Sequence, residues 1–406
     1  MTDTTAPDST APGADAFRYE PVDFMTGQPY DQWARAREQC PVIDARSSIL
    51  GGADRPYFEV TRREDVERVL RDASTFSSAI NGEHMGPYMG ELMLAMDGPE
   101  HRAYRNLVAH AFRASQLAQW DDTLVAASIQ ECIDAIAPLG RAELVRDVTK
   151  RYPARVICSI VGVPAEDSDQ FQAWAEVING GPLHPEEGLA ASRAMQEYLA
   201  PLVEARRVEP CGDLLSDLVH AEIDGERLSE ARLYGFLKLL LPAGAETTYR
   251  LMGNALTALL VHPGLMERVV ADRDLIPALI EETLRWETSV TLVSRNATVD
   301  TEIAGCPVPA GAALAVVVGS ANHDESIYDR ADEFDLDRPA SNHVAFGTGP
   351  HQCLGMHLAR MEMRTGLNAI LDGLPNLRLD PDAPAPAIEG LAFRGPDALP
   401  VVFDPA

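Results

Sequence analysis

The chain is short of cysteine pairs, of positive charge and of long apolar runs. Its six cysteines, Cys40, Cys132, Cys158, Cys211, Cys306 and Cys353, contain no CxxC pair and lie scattered along 406 residues. That pattern makes neither a disulfide framework nor a zinc or iron–sulfur spacing. A reducing, cytoplasmic setting fits it. Lys and Arg number 34 against 62 Asp and Glu, a formal net charge of −28. Such a chain repels nucleic acid and anionic membranes, so both are set aside as partners. No stretch of about 20 apolar residues is available to cross a bilayer. The nearest candidate, Phe236 to Leu241, is far too short and runs into Pro242. Met1 to Ala16 has no basic start and no apolar core, so it reads as a disordered tail rather than a signal peptide or anchor. A GxGxxG dinucleotide fingerprint is also missing. Aromatics make up only 6% of the residues, so aliphatic packing dominates the expected core.

What is present suits a globular protein with a sizeable core: 46% hydrophobic and 24% charged residues. Apolar spacing predicts helices over Tyr30 to Gln39, Arg63 to Arg71, Leu117 to Ile136, Ala154 to Val161 and Ile276 to Trp286. Pro99 opens another, where its missing N–H costs nothing. Glu230 to Val261 is apolar on several faces and reads as a long helix through the middle of the molecule. Asn179 to Pro182 and Val208 to Gly212 read as breaks. Ser77 to Met93 shows no clear period and reads as a long loop. Strands are expected at Tyr57 to Val60, Val290 to Val293, Ala313 to Val318 and Leu399 to Phe403. Asp324 to Gly349 reads as irregular chain and Leu354 to Leu371 as helix. The sum is one mostly α domain with a small β portion, spanning 17–406.

The most informative segment is Phe346-Gly347-Thr348-Gly349-Pro350-His351-Gln352-Cys353-Leu354-Gly355. A glycine-rich loop lets backbone approach a flat ligand closely. A cysteine just before a helix has its thiolate stabilised by the helix N-terminus and by backbone N–H groups. Gly355 removes a side chain where such a ligand would pack. A lone cysteine here would read as buried core. The whole pattern, however, resembles the haem-binding signature of the cytochrome P-450 family.

Further segments are similar to the same family in the expected order. In Ala243-Gly244-Ala245-Glu246-Thr247-Thr248 the residues alone leave two readings open: a helix irregularity, or a groove widened by Thr247 bonding back to the preceding turn. Glu282 and Arg285, with Arg338 in Phe334 to Pro339, look like the family's Glu–Arg–Arg network, which fixes the loop carrying the cysteine. His101 and Arg105 share one helix face. The resemblance implies that these two, with Arg295 and His351, grip haem propionates. Pro242 departs from the family pattern and implies a sharper kink.

The resemblance therefore implies the cytochrome P-450 fold, with the long central helix crossing haem b. Cys353 becomes the axial iron ligand. Ala243, Gly244, Phe346, Gly347 and Gly355 become haem contacts. Thr247 binds oxygen or water, and Glu246 relays protons. The implied reaction inserts one oxygen atom of O2 into a C–H bond or alkene of a lipophilic substrate such as a terpenoid, steroid, fatty acid or polyketide. Its electrons come from a separate ferredoxin and ferredoxin reductase. Arg102, Arg360 and Arg364 are the expected basic patch for that partner. The expected pocket lining is Ile80 to Leu94, Leu240 to Thr247, Val290 to Val293 and Leu391 to Phe393. A peroxide-driven peroxygenase and a non-catalytic haem sensor are the alternative readings; the Glu246–Thr247 pair argues against the first, and the lack of a signalling or DNA-binding module against the second.

Overall fold

The computed structural model describes residues 17–46, 55–112, 117, 120–339 and 342–405. The expected tail, 1–16, lies outside them, as do residues 118 and 119 within the predicted helix from Leu117.

Helices dominate. The ones that build the site are α1 (Ile80–Met89), α2 (Gly98–Ala109), α3 (Arg151–Val161), α4 (Ser168–Asn179), α5 (Pro185–Val208), α6 (Glu230–Val261), α7 (Ile276–Trp286) and α8 (Met356–Gly373). The long helix α6 starts at a Ser229 cap, whose hydroxyl accepts from the Arg232 N–H, satisfying one of the free donors of the first turn. It is buried along most of its length. Its first half, Leu233 to Ala245, packs with α3 and α5 through Ile157, Met195 and Leu199. Its second half, Tyr249 to Leu259, packs with α7 and α8 through Leu279, Ile280, Leu367 and Ile370. Each fully buried aliphatic side chain contributes roughly 1.5–3 kcal/mol. Glu246 to Thr248 sit at the seam between these two cores. No helix among the described residues is long and apolar enough to cross a membrane.

The largest element of the β portion is a five-stranded sheet; among the described residues a three-stranded sheet that includes Pro400–Val402 and three two-stranded pairs accompany it. The strands of the five-stranded sheet are β1 (Val42–Asp44), β2 (Tyr57–Val60), β3 (Phe76–Ser77), β4 (Val293–Ala297) and β5 (Ala313–Val316), in the order β1-β2-β5-β4-β3. Strand β5 runs parallel to β2 and antiparallel to β4, with Leu314 opposite Arg295. Alternation along β4 buries Arg295 while Ser294 and Asn296 stay half-buried.

Three expectations change. Ser77 to Met93 is not a loop: it contains α1 and a short 3-10 turn at Met93–Ala95. Gly82, Gly86 and Pro87 suppress helix propensity there. Tertiary contacts hold the helix instead. Ser192 of α5 donates to the Tyr88 carbonyl, and the Tyr88 ring lies against Gly181 and Gly188. The strand expected at Val290 to Val293 begins only at Val293, because Val293 to Asn296 pair with Val316 to Ala313 whatever their own propensity; Val290 makes a single bridge to Phe393. Helix α8 starts at Met356, after the cysteine loop has closed.

Candidate active site

The loop before α8 is shaped by two glycines in the left-handed region, Gly347 (φ +65°) and Gly349 (φ +76°). A Cβ on Gly349 would lie 2.6 Å from the Leu70 carbonyl oxygen, so only glycine fits. The Cys353 N–H donates to the Phe346 carbonyl at 2.8 Å and closes the loop. The Cys353 side chain is exposed, yet protein surrounds it densely enough that burial pushes its thiol above the ordinary range. Both facts hold together for a side chain that lines an interior space. Against burial act the Gly355 N–H, which bonds the sulfur, and the charges of Arg105 and Arg360. Nothing stands within 4 Å of a Cβ built on Gly347 or Gly355, so both flank open space.

Ala243 is exposed in the middle of the otherwise buried α6, and Thr247, one turn on, is half-exposed. They share a face at i, i+4, and α6 packs on α8, the helix that follows Cys353. The Thr247 hydroxyl donates to the Ala243 carbonyl at 2.8 Å. Helix α6 runs on through Pro242 as one element. Glu246 is buried, and its carboxylate accepts from Arg250 at 3.0 and 3.3 Å and from Asn179 of α4. Gly244 has a packing role: a Cβ there would lie 2.7 Å from Ile157 of α3. Its side-chain position therefore points at a neighbouring helix. The sequence also gave no hint of Glu362. It is fully buried on α8, hydrogen-bonded by Thr248, and burial holds its carboxyl well above the usual range.

A set of cationic and imidazole groups converges near the cysteine loop. His101 and Arg105 of α2 meet His351, whose ring stacks on His101 with centroids 3.9 Å apart. Arg105 donates to the Gln352 carbonyl at 2.6 Å. Arg295 is 4% exposed; its hydrogen bond is to the adjacent Ser294 carbonyl, and burial lowers its pKa to about 10. Asp97, which the sequence reading passed over, accepts from Ser77 and Ser78 and lies 3.6 Å from His351 Nε2.

Behind the loop, Glu282 and Arg285 of α7 form a buried fork, and Arg338 donates to the same carboxylate at 3.1 Å. Arg285 and Arg338 also donate to the carbonyls of Asp329, Arg330, Ala331 and Glu333. The irregular segment is thereby tied to α7. Arg360 departs from its expected place in a basic patch. Its guanidinium is held by Glu281 at 2.6 and 2.8 Å and lies over the Phe346 ring. With His343 it holds the Glu281 carboxyl down to about 2. Arg102 is exposed on α2.

Of the expected pocket lining, Ile80 packs under the sheet, Leu92 and Met93 lie in the helical core, and Leu391 and Ala392 pack on Trp33. Leu94, Val290 and Phe393 are half-buried.

These residues fit a haem. A flat ring needs the open space beside Gly347 and Gly355. Two carboxylates need donors that nothing else uses. His101 Nδ1 is buried without a hydrogen-bond partner, His351 Nε2 has only the Asp97 carboxylate, at 3.6 Å, and among the described residues no carboxylate forms an ion pair with Arg295. Buried polar atoms left unpaired call for an absent partner.

Comparison with known proteins agrees. The cytochrome P450 family model matches residues 184–375. The steroid C26-monooxygenase of Mycolicibacterium smegmatis is 34% identical, covering 95% of this chain and 96% of its own. The mycinamicin IV hydroxylase/epoxidase of Micromonospora griseorubida is 35% identical, covering 86% and 91%. A cytochrome P450 from Chondromyces apiculatus superposes with a TM-score of 0.83 at 31% identity, over 93% of this chain and 96% of that one. A mutant of P450 EryK in complex with erythromycin B gives a TM-score of 0.83 at 31% identity, over 92% and 96%. The chain belongs to the cytochrome P450 family, monooxygenases whose cofactor is haem b.

Proposed function

We propose that Cys353 would hold the iron of this haem through its sulfur, that residues 17–406 form one domain around it, and that the enzyme oxidises a lipophilic small molecule in the cytoplasm with electrons from a ferredoxin and its reductase. The carrying observation is the interior-facing Cys353 with the Gly355 N–H on its sulfur. His101, Arg105, Arg295 and His351 would hold the carboxylates of the haem; Phe346, Gly347, Gly355 and Ala243 would leave room for its ring. When bound, the haem supplies the activation of dioxygen and the insertion of one oxygen atom into the substrate.

The chain's own residues supply protons and exclude water. Thr247 keeps its hydroxyl proton on the Ala243 carbonyl and can turn it toward an acceptor in the cavity. Glu246 stands one residue behind, its carboxylate clamped by Arg250 and Asn179; on changing partner it can take a proton from solvent and pass it on to Thr247. Glu282, Arg285 and Arg338 keep the cysteine loop in place. The ferredoxin is supported by the lack of a dinucleotide fingerprint or cluster ligands in the sequence, and by the exposed Arg102 on the helix that also carries His101 and Arg105. The lipophilic substrate is supported by the half-buried apolar side chains of Leu94, Val290 and Phe393, and by relatives named for a steroid and for mycinamicin IV.

The test compares wild type with Cys353→Ser after haem loading, reduction and exposure to carbon monoxide. A Soret band at the thiolate position in wild type that is lost in the variant is the expected result. An identical band in both proteins overturns the assignment of Cys353.

A further inference from the structure

Asp97 stands where a helix cap belongs and does not cap. It is the residue before α2, where an Asp side chain ordinarily accepts from the N–H groups of the first turn, yet it makes no such bond. Its oxygens turn to other parts of the chain instead. Oδ2 accepts the Ser77 hydroxyl at 2.6 Å, and the carboxylate accepts the Ser78 N–H at 3.1 and 3.2 Å. Oδ1 lies 3.6 Å from His351 Nε2 in the cysteine loop. Burial opposes its charge, but the contacts with His351, Ser77 and Ser78 prevail and hold the carboxyl below its ordinary range.

Ser77, Ser78 and Asp97 are the two ends of one excursion of the chain. It leaves the sheet at β3, runs through α1 and the turn at Met93–Ala95, and returns at Asp97 to enter α2. One carboxylate therefore closes the base of residues 78–97, the segment that carries Leu94. The same carboxylate is the acid of the cationic cluster: beyond its contact with His351, its charge acts on His101 and on Arg295. His351 in turn stacks on His101 with centroids 3.9 Å apart. An imidazole has two nitrogens on separate edges of the ring. A carboxylate facing one of them fixes the ring's orientation and so aims the other.

We infer that Asp97 is a positioning residue of the haem site: it sets the His351 ring for a haem carboxylate and fastens the base of the 78–97 segment to the same point. This rests on the haem-site assignment above. A role in starting α2 does not account for the carboxylate, which makes no bond to the N–H groups of that helix. Contact with both ends of the segment and with the cysteine loop does account for it.

Wild type, Asp97→Asn, His351→Ala and the double variant are loaded with haem, and the rate of haem loss to excess apomyoglobin is read from the Soret band. At metal sites an outer partner that orients a binding imidazole is typically worth about 10–100-fold in affinity. Asp97→Asn is expected to lose haem about tenfold faster than wild type. It is expected to add little in the His351→Ala background, because the effect travels through that ring. Amide hydrogens of residues 78–97 are expected to exchange faster in Asp97→Asn than in wild type. Haem loss unchanged in Asp97→Asn, equal acceleration with and without His351, or unchanged exchange over 78–97 overturns the proposal. Should Asp97→Asn fail to fold, Ser77→Ala removes only the hydroxyl that anchors Oδ2 and is expected to speed haem loss in the same His351-dependent way; no acceleration there overturns it equally. Failure of the underlying haem assignment reads differently: wild type itself forms no Soret band when haem is supplied.

Discussion

Arg285 forks onto Glu282 from three residues further along the same helix, with Nη2–Oε1 at 2.7 Å and Nε–Oε2 at 2.9 Å, and both side chains are almost wholly buried. An exposed i, i+3 pair contributes little. This one differs because the remaining donors of Arg285 reach the carbonyls of Asn322, Ala331 and Glu333. Glu282 likewise accepts the Asp335 N–H and Arg338 Nε. Both terminal nitrogens of Arg285 and Glu282 Oε1 therefore tether the segment leading to the cysteine loop.

Arg285→Lys is accordingly not conservative. A lysine keeps the charge and loses the planar fork, which leaves buried carbonyls unpaired at about 1–3 kcal/mol each. The expected outcome is a lower melting temperature together with a lower ratio of haem to protein absorbance. A variant that retained both would show that the fork does not hold the loop.

The clamp on Glu246 makes a kinetic prediction. Thr247→Ala removes the hydroxyl now held by Ala243, and Glu246→Gln removes the carboxylate held by Arg250 and Asn179. Loss of a positioned proton donor typically costs about 10²–10⁴-fold in rate. Glu246→Gln is expected to slow turnover by about tenfold or more, with ligand binding unchanged. In Thr247→Ala, reducing equivalents are expected to divert from product to hydrogen peroxide. The check is product formed per electron consumed. Full coupling in Thr247→Ala would remove that residue from the proton path.

Much of this arrangement was legible in the sequence, for local reasons. Helix α6 reads correctly from Glu230 to Val261 because Ser229 caps it and the apolar residues recur on nearly every turn. Helix α7 reads correctly because Pro277 sits in its first turn. Cys353 reads from glycines whose positive φ the structure then displays. The missed features depend on partners far along the chain. Helix α1 has poor propensity and is made by Ser192, Gly181 and Gly188 from beyond position 180. Arg360 looks like a surface cation until Glu281 arrives beside it. Glu362, within Arg-Met-Glu-Met, looks solvated until α6 covers it. Local pattern carries element bounds and loop chemistry, whereas the fate of a charged side chain is decided by tertiary packing.

Glu59 carries the last prediction, away from the haem. It lies in β2 at 2% exposure and accepts from Tyr19 and from Trp33 Nε1, each at 3.3 Å. No cation pairs with it among the described residues, and burial raises its carboxyl from 4.5 to about 7. In the unfolded chain this carboxyl ionises near its ordinary value; in the folded protein it keeps its proton to about pH 7. The folded state therefore binds the extra proton between those two values, and stability falls as pH rises through that window. Above it, the penalty reaches up to about 3 kcal/mol. Glu59→Gln removes the ionisation while keeping an acceptor for the Trp33 N–H. The variant is expected to match wild type near pH 5 and to melt at a higher temperature at pH 8. Parallel melting curves across that range would mean that the Glu59 carboxylate is already solvated or paired in the folded protein.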